Sequence, residues 1–271
     1  MSTPTPSPRL TGIDALRGLA AISVVFYHYT TRYQQKYGFN EPPSLEFPFG
    51  HLGVNLFFVI SGFVIFMTLE RIRRPEDFVV SRFSRLFPTF WAAVLLTAAV
   101  EALTQVLGSG LTPLQIVANL LMVHEFLSFP SVDGVYWTLQ IELFFYLWMF
   151  SLWLIGGLRR PYPWITLWLL LSLATSGVAG WSLPVPYRVA QLGLLPHIPF
   201  FVLGMAVYLQ HSRGAAERLR PLALGSLALA VIGLTQGATL LAWAACFVAL
   251  LLLALRINAR VERLARPVIW L

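Results

Sequence analysis

The sequence predicts an all-α fold, a polytopic transmembrane helix bundle with about eight spans and one re-entrant or interfacial helix. Of the 271 residues, 57% are hydrophobic and only 11% are charged, whereas soluble domains contain about 25% charged residues. The mean hydropathy is +0.71. Apolar segments of membrane-spanning length alternate with short gaps in which arginines cluster, a pattern that sets the orientation of membrane proteins. These observations exclude a large soluble domain.

One transmembrane domain, residues 9–271, is predicted to follow a short N-terminal tail. Residues 1–8 are rich in Ser, Thr and Pro, and no small-residue cleavage site follows the first apolar segment. We therefore expect a disordered tail and an uncleaved first span. The third span is expected to start with Pro88 near its first turn, where the missing N–H of proline costs least. The predicted spans are 12–29, 52–69, 86–107, 135–155, 164–181, 189–209, 222–236 and 238–255.

The apolar segment at 111–129 is predicted not to span the membrane. Polar residues interrupt it and prolines flank it, which is typical of a re-entrant or interfacial helix. If the segment spanned the membrane, Arg159 and Arg160 would lie on its outer side. If it does not span, every arginine-rich gap lies on the same side of the membrane. The positive-inside rule then places the N-terminus in the cytoplasm, in a cell inner (plasma) membrane. The stretch 267–271 resembles the start of a further helix, so we expect the domain to be incomplete at its C-terminal end.

The charge and the single cysteine exclude other classes. The formal net charge is +7, but the arginines lie in the short gaps between spans, so we expect no nucleic-acid partner. Cys246 is the only cysteine and lies in an apolar segment, which excludes a disulfide framework and a thiolate metal site. The sequence has no metal-ligand spacing, and we expect membrane lipid but no metal ion as a partner.

The first span carries three ionisable residues, Asp14, Arg17 and His28. Eleven positions make about three turns plus 20°, so Arg17 and His28 share one stripe of a helix, roughly 16 Å apart, and Asp14 lies on the same stripe. Each such group costs about 2.5 to 3.5 kcal/mol within a spanning helix, which predicts a polar cavity. There His28 could act as a base on a hydroxyl, and Arg17 could hold a phosphate or acyl carrier. Alternatively, Arg17 is a topology anchor and His28 an interface residue.

The fourth predicted span carries a carboxylate, Glu142, about 10 Å below its outer boundary, within a few ångströms of the predicted level of His28. A carboxylate beside a histidine raises its basicity and fixes its tautomer. We therefore expect Glu142 to meet His28, with Trp137 and Thr138 lining the substrate cavity. The alternative is that Glu142 pairs with a structural arginine.

Two further groups of residues are candidates for binding. Arg82 and Arg85, three apart on one helical face at the predicted cytoplasmic mouth, could grip the phosphates of a nucleotide-like donor, or they could simply be a positive-inside signal. In the second span, Asn55 and Ser61 could line the cavity, although small residues such as Gly62 also favour close helix packing.

Four motifs occur in an order that resembles the acyltransferase-3 family of membrane O-acyltransferases. They are DALRG at 14–18 with His28 eleven residues beyond Arg17, GVNLFFVISGF at 53–63, RFSRLFP at 82–88, and WTLQIE at 137–142. The resemblance implies transfer of an acyl group, often acetyl, from cytoplasmic acyl-CoA to a hydroxyl of a glycan or glycolipid, with His28 essential. Members usually have ten helices and often an aspartate where this chain has Asn55.

The resemblance leads to a working hypothesis. Arg82 and Arg85 would receive the phosphates of acyl-CoA, and Arg17 would guide its pantetheine arm or thioester. His28, oriented by Glu142, would deprotonate the acceptor hydroxyl near the outer face or carry the acyl group itself. Two alternatives remain open: a polar-solute transporter in which Arg17, His28 and Glu142 form a proton relay, and an inactive truncated or non-catalytic member.

Overall fold

The computed structural model describes residues 10–38, 46–104, 110–124, 126, 128–178, 182–214 and 217–265, with side chains up to Ala259. It is 82% helical, and no strand occurs in the described residues. The predicted all-α class is confirmed. The predicted N-terminal tail and the stretch 267–271 lie outside the described residues.

Eleven α-helices occur in the described ranges, and 3-10 or π-helical turns precede or extend several of them. The helices are α1 (Thr11–Tyr27), α2 (Tyr33–Tyr37), α3 (Gly53–Arg71), α4 (Pro75–Thr104), α5 (Pro113–Leu120), α6 (Trp137–Leu154), α7 (Pro161–Ala174), α8 (Tyr187–Leu192), α9 (Ile198–Ser212), α10 (Leu219–Gln236) and α11 (Ala238–Ala265).

The chain divides into two compact units. The first, called the N/C unit, comprises Met1–Val64 and His197–Leu271, and the second, called the central unit, comprises Ile65–Pro196. Four helical stretches in the described residues are long and apolar enough to cross a membrane: Pro48–Arg71, Pro75–Thr104, Leu219–Gln236 and Ala238–Ala259. The other four predicted spans coincide with helices that are shorter or more polar, α1, α6, α7 and α9. A membrane bundle is therefore supported, and the number of eight spans stays a prediction.

Helix α4 begins earlier than the sequence predicted. It starts at Pro75, about three turns before the expected start of the third span. Proline suits the first position of a helix, and the carboxylates of Glu76 and Asp77 in the first turn complement the helix dipole. Pro88 consequently lies inside the helix, not near its first turn as predicted.

The predicted span 189–209 is two helices, not one. Helix α8 ends at Leu192 and α9 begins at Ile198. Between them Leu194 adopts a φ of 58°, a left-handed conformation that no helix interior accommodates. The sequence signals for this break, Gly193 and Pro196, were present but were outweighed by the apolar character of the segment.

Side chains of α6 and α7 satisfy the backbone carbonyls exposed by this break. Trp148 donates its indole N–H to the carbonyl of Leu192 at 2.7 Å. Trp168 donates to the carbonyl of Gly193 at 2.5 Å, and Ser172 donates a third bond within the break. Because an unpaired carbonyl in an apolar environment costs several kcal/mol by order of magnitude, these donors offset most of the cost of the break.

Within the N/C unit, α3 and α9 cross in backbone contact. A Cβ added to Gly62 would overlap the backbone of Phe201, and one added to Gly204 would overlap the backbone of Val59. The rings of Phe58 and Phe201 stack at a centroid distance of 4.8 Å beside this crossing. Small residues therefore allow close helix approach here, as the sequence predicted for Gly62.

The start of α1 is held by α11. The Asn258 side-chain oxygen accepts hydrogen bonds from the Thr11 hydroxyl at 3.0 Å and from the Gly12 N–H at 2.9 Å. A Cβ on Gly12 would lie only 2.7 Å from the Ala254 carbonyl oxygen, so the two helices touch at this point. Asn258 thus supplies the N-terminal cap that the residue before α1, Leu10, lacks.

The segment predicted not to span contains only a short helix. Helix α5 has 8 residues, or about 12 Å, far less than a hydrocarbon core of about 30 Å. Its buried Asn119 donates to the carbonyl of Pro130 at 3.1 Å and accepts from the N–H of Val132 at 3.0 Å, which folds the following loop back onto the helix. This geometry agrees with a re-entrant or interfacial element.

Candidate functional site

His28 lies where α1 changes into a π-helical turn, His28–Arg32. Its Nδ1 is 2.8 Å from the carbonyl oxygen of Val24. A carbonyl can only accept, so Nδ1 carries the proton, and in the neutral ring Nε2 holds the lone pair. The tautomer suited to a base or nucleophile at Nε2 is therefore fixed within α1 itself, whereas the sequence assigned that role to Glu142.

The π-helical turn is a feature that sequence reasoning missed. Thr30 donates its hydroxyl to the Phe26 carbonyl at 2.6 Å, and the Thr31 hydroxyl accepts from the N–H of Phe47 at 3.1 Å. Such turns occur often at functional sites. The adjacent threonines, whose hydroxyls compete for backbone groups, are the only local signal for it in the sequence.

Asp14 and Arg17 form an ion pair near the other end of α1. The Arg17 Nη1 and the Asp14 Oδ1 are 3.9 Å apart, and the side chains are 18% and 44% exposed, respectively. At this distance and exposure the pair contributes little stability, at most about 1 kcal/mol. The continuous helix keeps the predicted rise of roughly 16 Å between Arg17 and His28.

In the central unit, Arg82 and Glu142 belong to one cluster, here called the Arg82 cluster, with Phe78 and Tyr146. Tyr146 donates its phenol O–H to Glu142 Oε1. The Cζ of Arg82 lies 5.9 Å from the ring centroids of both Phe78 and Tyr146, within the range of a cation–π interaction. The buried Tyr146 therefore links α4 to the carboxylate on α6.

This cluster connects two residues that the sequence placed in different parts of the site. The sequence placed Arg82 at the cytoplasmic mouth and Glu142 close to the outer side. Glu142 and Tyr146 are separated by one helical turn, about 6 Å of rise, and Arg82 packs against the Tyr146 ring. Tyr146 thus contacts both side chains, while the meeting of Glu142 with His28 and its alternative, a structural arginine, stay predictions. The i, i+4 spacing of Glu142 and Tyr146 was the signal available for finding Tyr146.

Arg82 and Arg85 differ in their surroundings. Arg82 is partly buried and donates from Nη2 to the Ser81 hydroxyl at 3.1 Å, while its buried Nε has no hydrogen-bond partner among the described residues. Arg85 is exposed. Binding of donor phosphates by the two arginines stays a prediction.

The remaining predicted site residues are spread over both units. Asn55 is partly exposed and Ser61 is buried, both on α3 of the N/C unit. Trp137, which is 37% exposed, and Thr138 begin α6 of the central unit. The Thr138 hydroxyl donates to the carbonyl of Val135, in the turn before that helix, at 3.2 Å. A cavity role for these residues, and the pairing of His28 with Glu142, stay predictions.

The fold and these residues define a class, an all-helical membrane protein with ionisable side chains on apolar helices. No group of three or more His, Cys, Asp and Glu side chains that could hold a metal ion occurs in the described ranges. Residues 10–268 match the sequence model of the acyltransferase-3 family, which is described as an acyltransferase domain. The chain belongs to this family, which confirms the resemblance, and the predicted enzyme class agrees with that of the family.

Several characterised relatives share part of the sequence. The exopolysaccharide production protein ExoZ of Rhizobium meliloti is 31% identical over 69% of this chain and 58% of its own length. The acyltransferase MdmB of Streptomyces mycarofaciens is 26% identical over 68% of this chain and 47% of its own length. The peptidoglycan O-acetyltransferase OatA of Listeria monocytogenes is 27% identical over 50% of this chain and 22% of its own length. The chain thus spans only part of each relative, and no solved structure gives a significant match.

Proposed function

We propose that this protein moves an acyl group, in the first instance acetyl, from cytoplasmic acyl-CoA to a hydroxyl of a carbohydrate or glycoconjugate. Transfer takes place towards the outer face of the cell inner membrane, with the N-terminus in the cytoplasm. Family membership supports the reaction class. The name of OatA specifies O-acetylation of peptidoglycan and that of ExoZ exopolysaccharide production, which supports a glycan acceptor and an acetyl donor for this chain.

The observation that carries the proposal is the hydrogen bond from His28 Nδ1 to the Val24 carbonyl. It leaves the lone pair on Nε2, which accepts the proton of the acceptor hydroxyl. The alkoxide oxygen attacks the thioester carbonyl carbon, the C–S bond breaks, and the imidazolium returns its proton to the CoA thiolate. In the covalent variant, Nε2 itself attacks the carbonyl and the CoA thiolate leaves; the acyl-imidazolium then passes its acyl group to the hydroxyl, whose proton goes to the thiolate. Both routes need the same tautomer.

The arginines serve the donor in this scheme. Arg82 and Arg85 bind the CoA phosphates, since a guanidinium recognises phosphate oxygens with two parallel N–H bonds. The rings of Phe78 and Tyr146 hold the Arg82 guanidinium in place for this contact. Arg17, which pairs with Asp14, guides the pantetheine arm towards His28. Glu142 meets the imidazole of His28 and stabilises its charged form.

The proposed reaction can be tested in inside-out membrane vesicles loaded with a panel of methyl glycosides of glucose, galactose and N-acetylglucosamine. Acetyl-labelled acetyl-CoA is added outside the vesicles, at their cytoplasmic face. Label in a glycoside supports the proposed transfer. Release of glycoside from the vesicles without label would instead identify a transporter with an Arg17, His28 and Glu142 relay. If glycoside is neither labelled nor released, the protein is a non-catalytic member and the proposal is overturned.

His28→Ala is expected to lower the transfer rate by at least about 100-fold, because general-base or nucleophilic catalysis typically contributes at least that factor. The matched control is His211→Ala, since His211 is exposed in the last turn of α9 and should leave the rate unchanged. Rapid quenching of the wild-type reaction, followed by mass spectrometry of the peptide containing His28, separates the two routes. Full activity in His28→Ala would refute both.

A further inference from the structure

A second histidine lies beside the ring that contacts His28. The 3-10 turn Pro48–Leu52 precedes α3 and carries His51. The ring of Tyr27 is 5.2 Å from the His28 ring and also 5.2 Å from the His51 ring, measured between centroids. Tyr27, His28 and His51 therefore form a contiguous group within the N/C unit, here called the Tyr27 group.

Both imidazoles have the same tautomer. His51 Nδ1 is 2.7 Å from the carbonyl oxygen of Pro48, as His28 Nδ1 is 2.8 Å from that of Val24. Each Nδ1 must donate to its carbonyl, so in the neutral rings each Nε2 is an acceptor. In the part of the chain that the structure describes, neither Nε2 has a hydrogen-bond partner. His51 is exposed and His28 is partly exposed, so a ligand can reach both.

The position of His51 is fixed against α1 by close backbone packing. A Cβ on Gly50 would overlap the backbone of Ser23, and a Cβ on Gly53 would lie 2.6 Å from the Ala20 carbonyl oxygen. The N–H of Phe47, at the start of the turn, donates to Thr31 of the π-helical turn at 3.1 Å. The two imidazoles are consequently held in place before any ligand binds, which limits the entropy lost on binding.

We propose that the Tyr27 group is the acceptor-binding site and that it binds its acceptor through two hydroxyls of one sugar. His28 Nε2 takes the hydroxyl that is acylated, and His51 Nε2 accepts a hydrogen bond from a second hydroxyl of the same sugar. Two acceptor nitrogens beside a phenol suit the several hydroxyls of a sugar better than a molecule with one hydroxyl. This inference rests on the proposed function and names its substrate class.

The variant His51→Ala tests the proposal in the same vesicle assay. We expect the KM for the methyl glycoside to rise about 3- to 10-fold, the value of one lost hydrogen bond, while the KM for acetyl-CoA stays at its wild-type value and kcat changes far less than kcat/KM. His51→Gln, whose amide oxygen can accept the same bond, should recover part of the loss. His211→Ala is the matched histidine control and should change neither KM.

Monodeoxy methyl glycosides separate binding by His51 from a purely structural role, because a structural role would not change the KM of one deoxy analogue relative to the parent glycoside. In the wild type, the KM for the analogue that lacks the hydroxyl bound by His51 should be about 3- to 10-fold higher than the KM for the parent glycoside. In His51→Ala, the two KM values should be equal. An unchanged glycoside KM in His51→Ala, or deoxy effects that are the same in both proteins, would overturn the inference while wild-type transfer still supports the proposed function. Absence of transfer by the wild type would overturn both.

Discussion

The hydroxyl of Tyr146 determines the surroundings of Glu142 in the described central unit. It donates to the carboxylate, while the ring face of the same side chain contacts the Arg82 guanidinium. A hydrogen bond to a charged group contributes about 1.5 to 3 kcal/mol. Tyr146 therefore orients both Glu142, the predicted partner of His28, and Arg82, a predicted phosphate ligand. Loss of the Tyr146 hydroxyl removes the hydrogen bond to Glu142, whereas the ring still contacts Arg82.

Tyr146→Phe is expected to lower kcat/KM for acetyl transfer by about tenfold or more, because Glu142 loses the bond that orients it. The KM for acetyl-CoA should change little, since the ring that holds Arg82 remains. Steady-state kinetics in vesicles measure both. Tyr136→Phe is the matched control, because it removes another buried phenol of the central unit, one bonded to Thr97 at 2.9 Å. Equal losses in the two variants would contradict a positioning role for Tyr146.

At the level of helices, the α3–α9 crossing is the contact least tolerant of added volume. Each of the two glycines faces the backbone of the other helix, so a new methyl group cannot be accommodated by a side-chain rotation. Overpacking of this kind typically costs about 1 to 3 kcal/mol. The crossing therefore sets how closely α3, which carries Asn55 and Ser61, packs on α9 within the N/C unit.

Gly204→Ala is expected to destabilise the protein by about 1 to 3 kcal/mol and to lower its Tm in detergent. The control is Gly225→Ala in α10, where a Cβ would meet only the Ala206 methyl group at an ordinary 3.6 Å. Because alanine favours a helix over glycine by about 1 kcal/mol, the control should be as stable as the wild type or more so. Similar Tm values for both variants would rule out a tight α3–α9 crossing.

The break between α8 and α9, within the predicted span 189–209, and the early start of α4 show which helix boundaries could be predicted from the sequence. Apolar content located the helices, but Gly193 and Pro196 were not enough to predict a break, because the tryptophans that stabilise it come from α6 and α7, far away in sequence. The start of α4 was predictable in principle from Pro75 and the two acidic residues that follow it.

For the whole molecule, the distribution of arginines predicts an orientation in the membrane that cysteine labelling can test. A cysteine-free background requires only Cys246→Ala, since Cys246 is the sole cysteine. On that background, Arg74→Cys should react with a membrane-impermeant maleimide only in inside-out vesicles, and Lys36→Cys only in intact cells. Both native residues are exposed. Labelling of both variants from one side would overturn the predicted topology.

The candidate site was predictable where it depended on one helix and unpredictable where it depended on contacts between helices. The shared stripe of Arg17 and His28 follows from spacing alone. The packing of Arg82 on Tyr146, by contrast, requires the register of α4 against α6, which no local pattern of residues encodes.

The cap that Asn258 provides for Thr11 and Gly12 has a consequence for biogenesis. Thr11 and Asn258 are 247 positions apart, so the cap can form only once the ribosome has synthesised α11. Helix α1, which carries Asp14 and Arg17, is therefore made long before its N-terminal cap, and its final packing depends on the synthesis of α11.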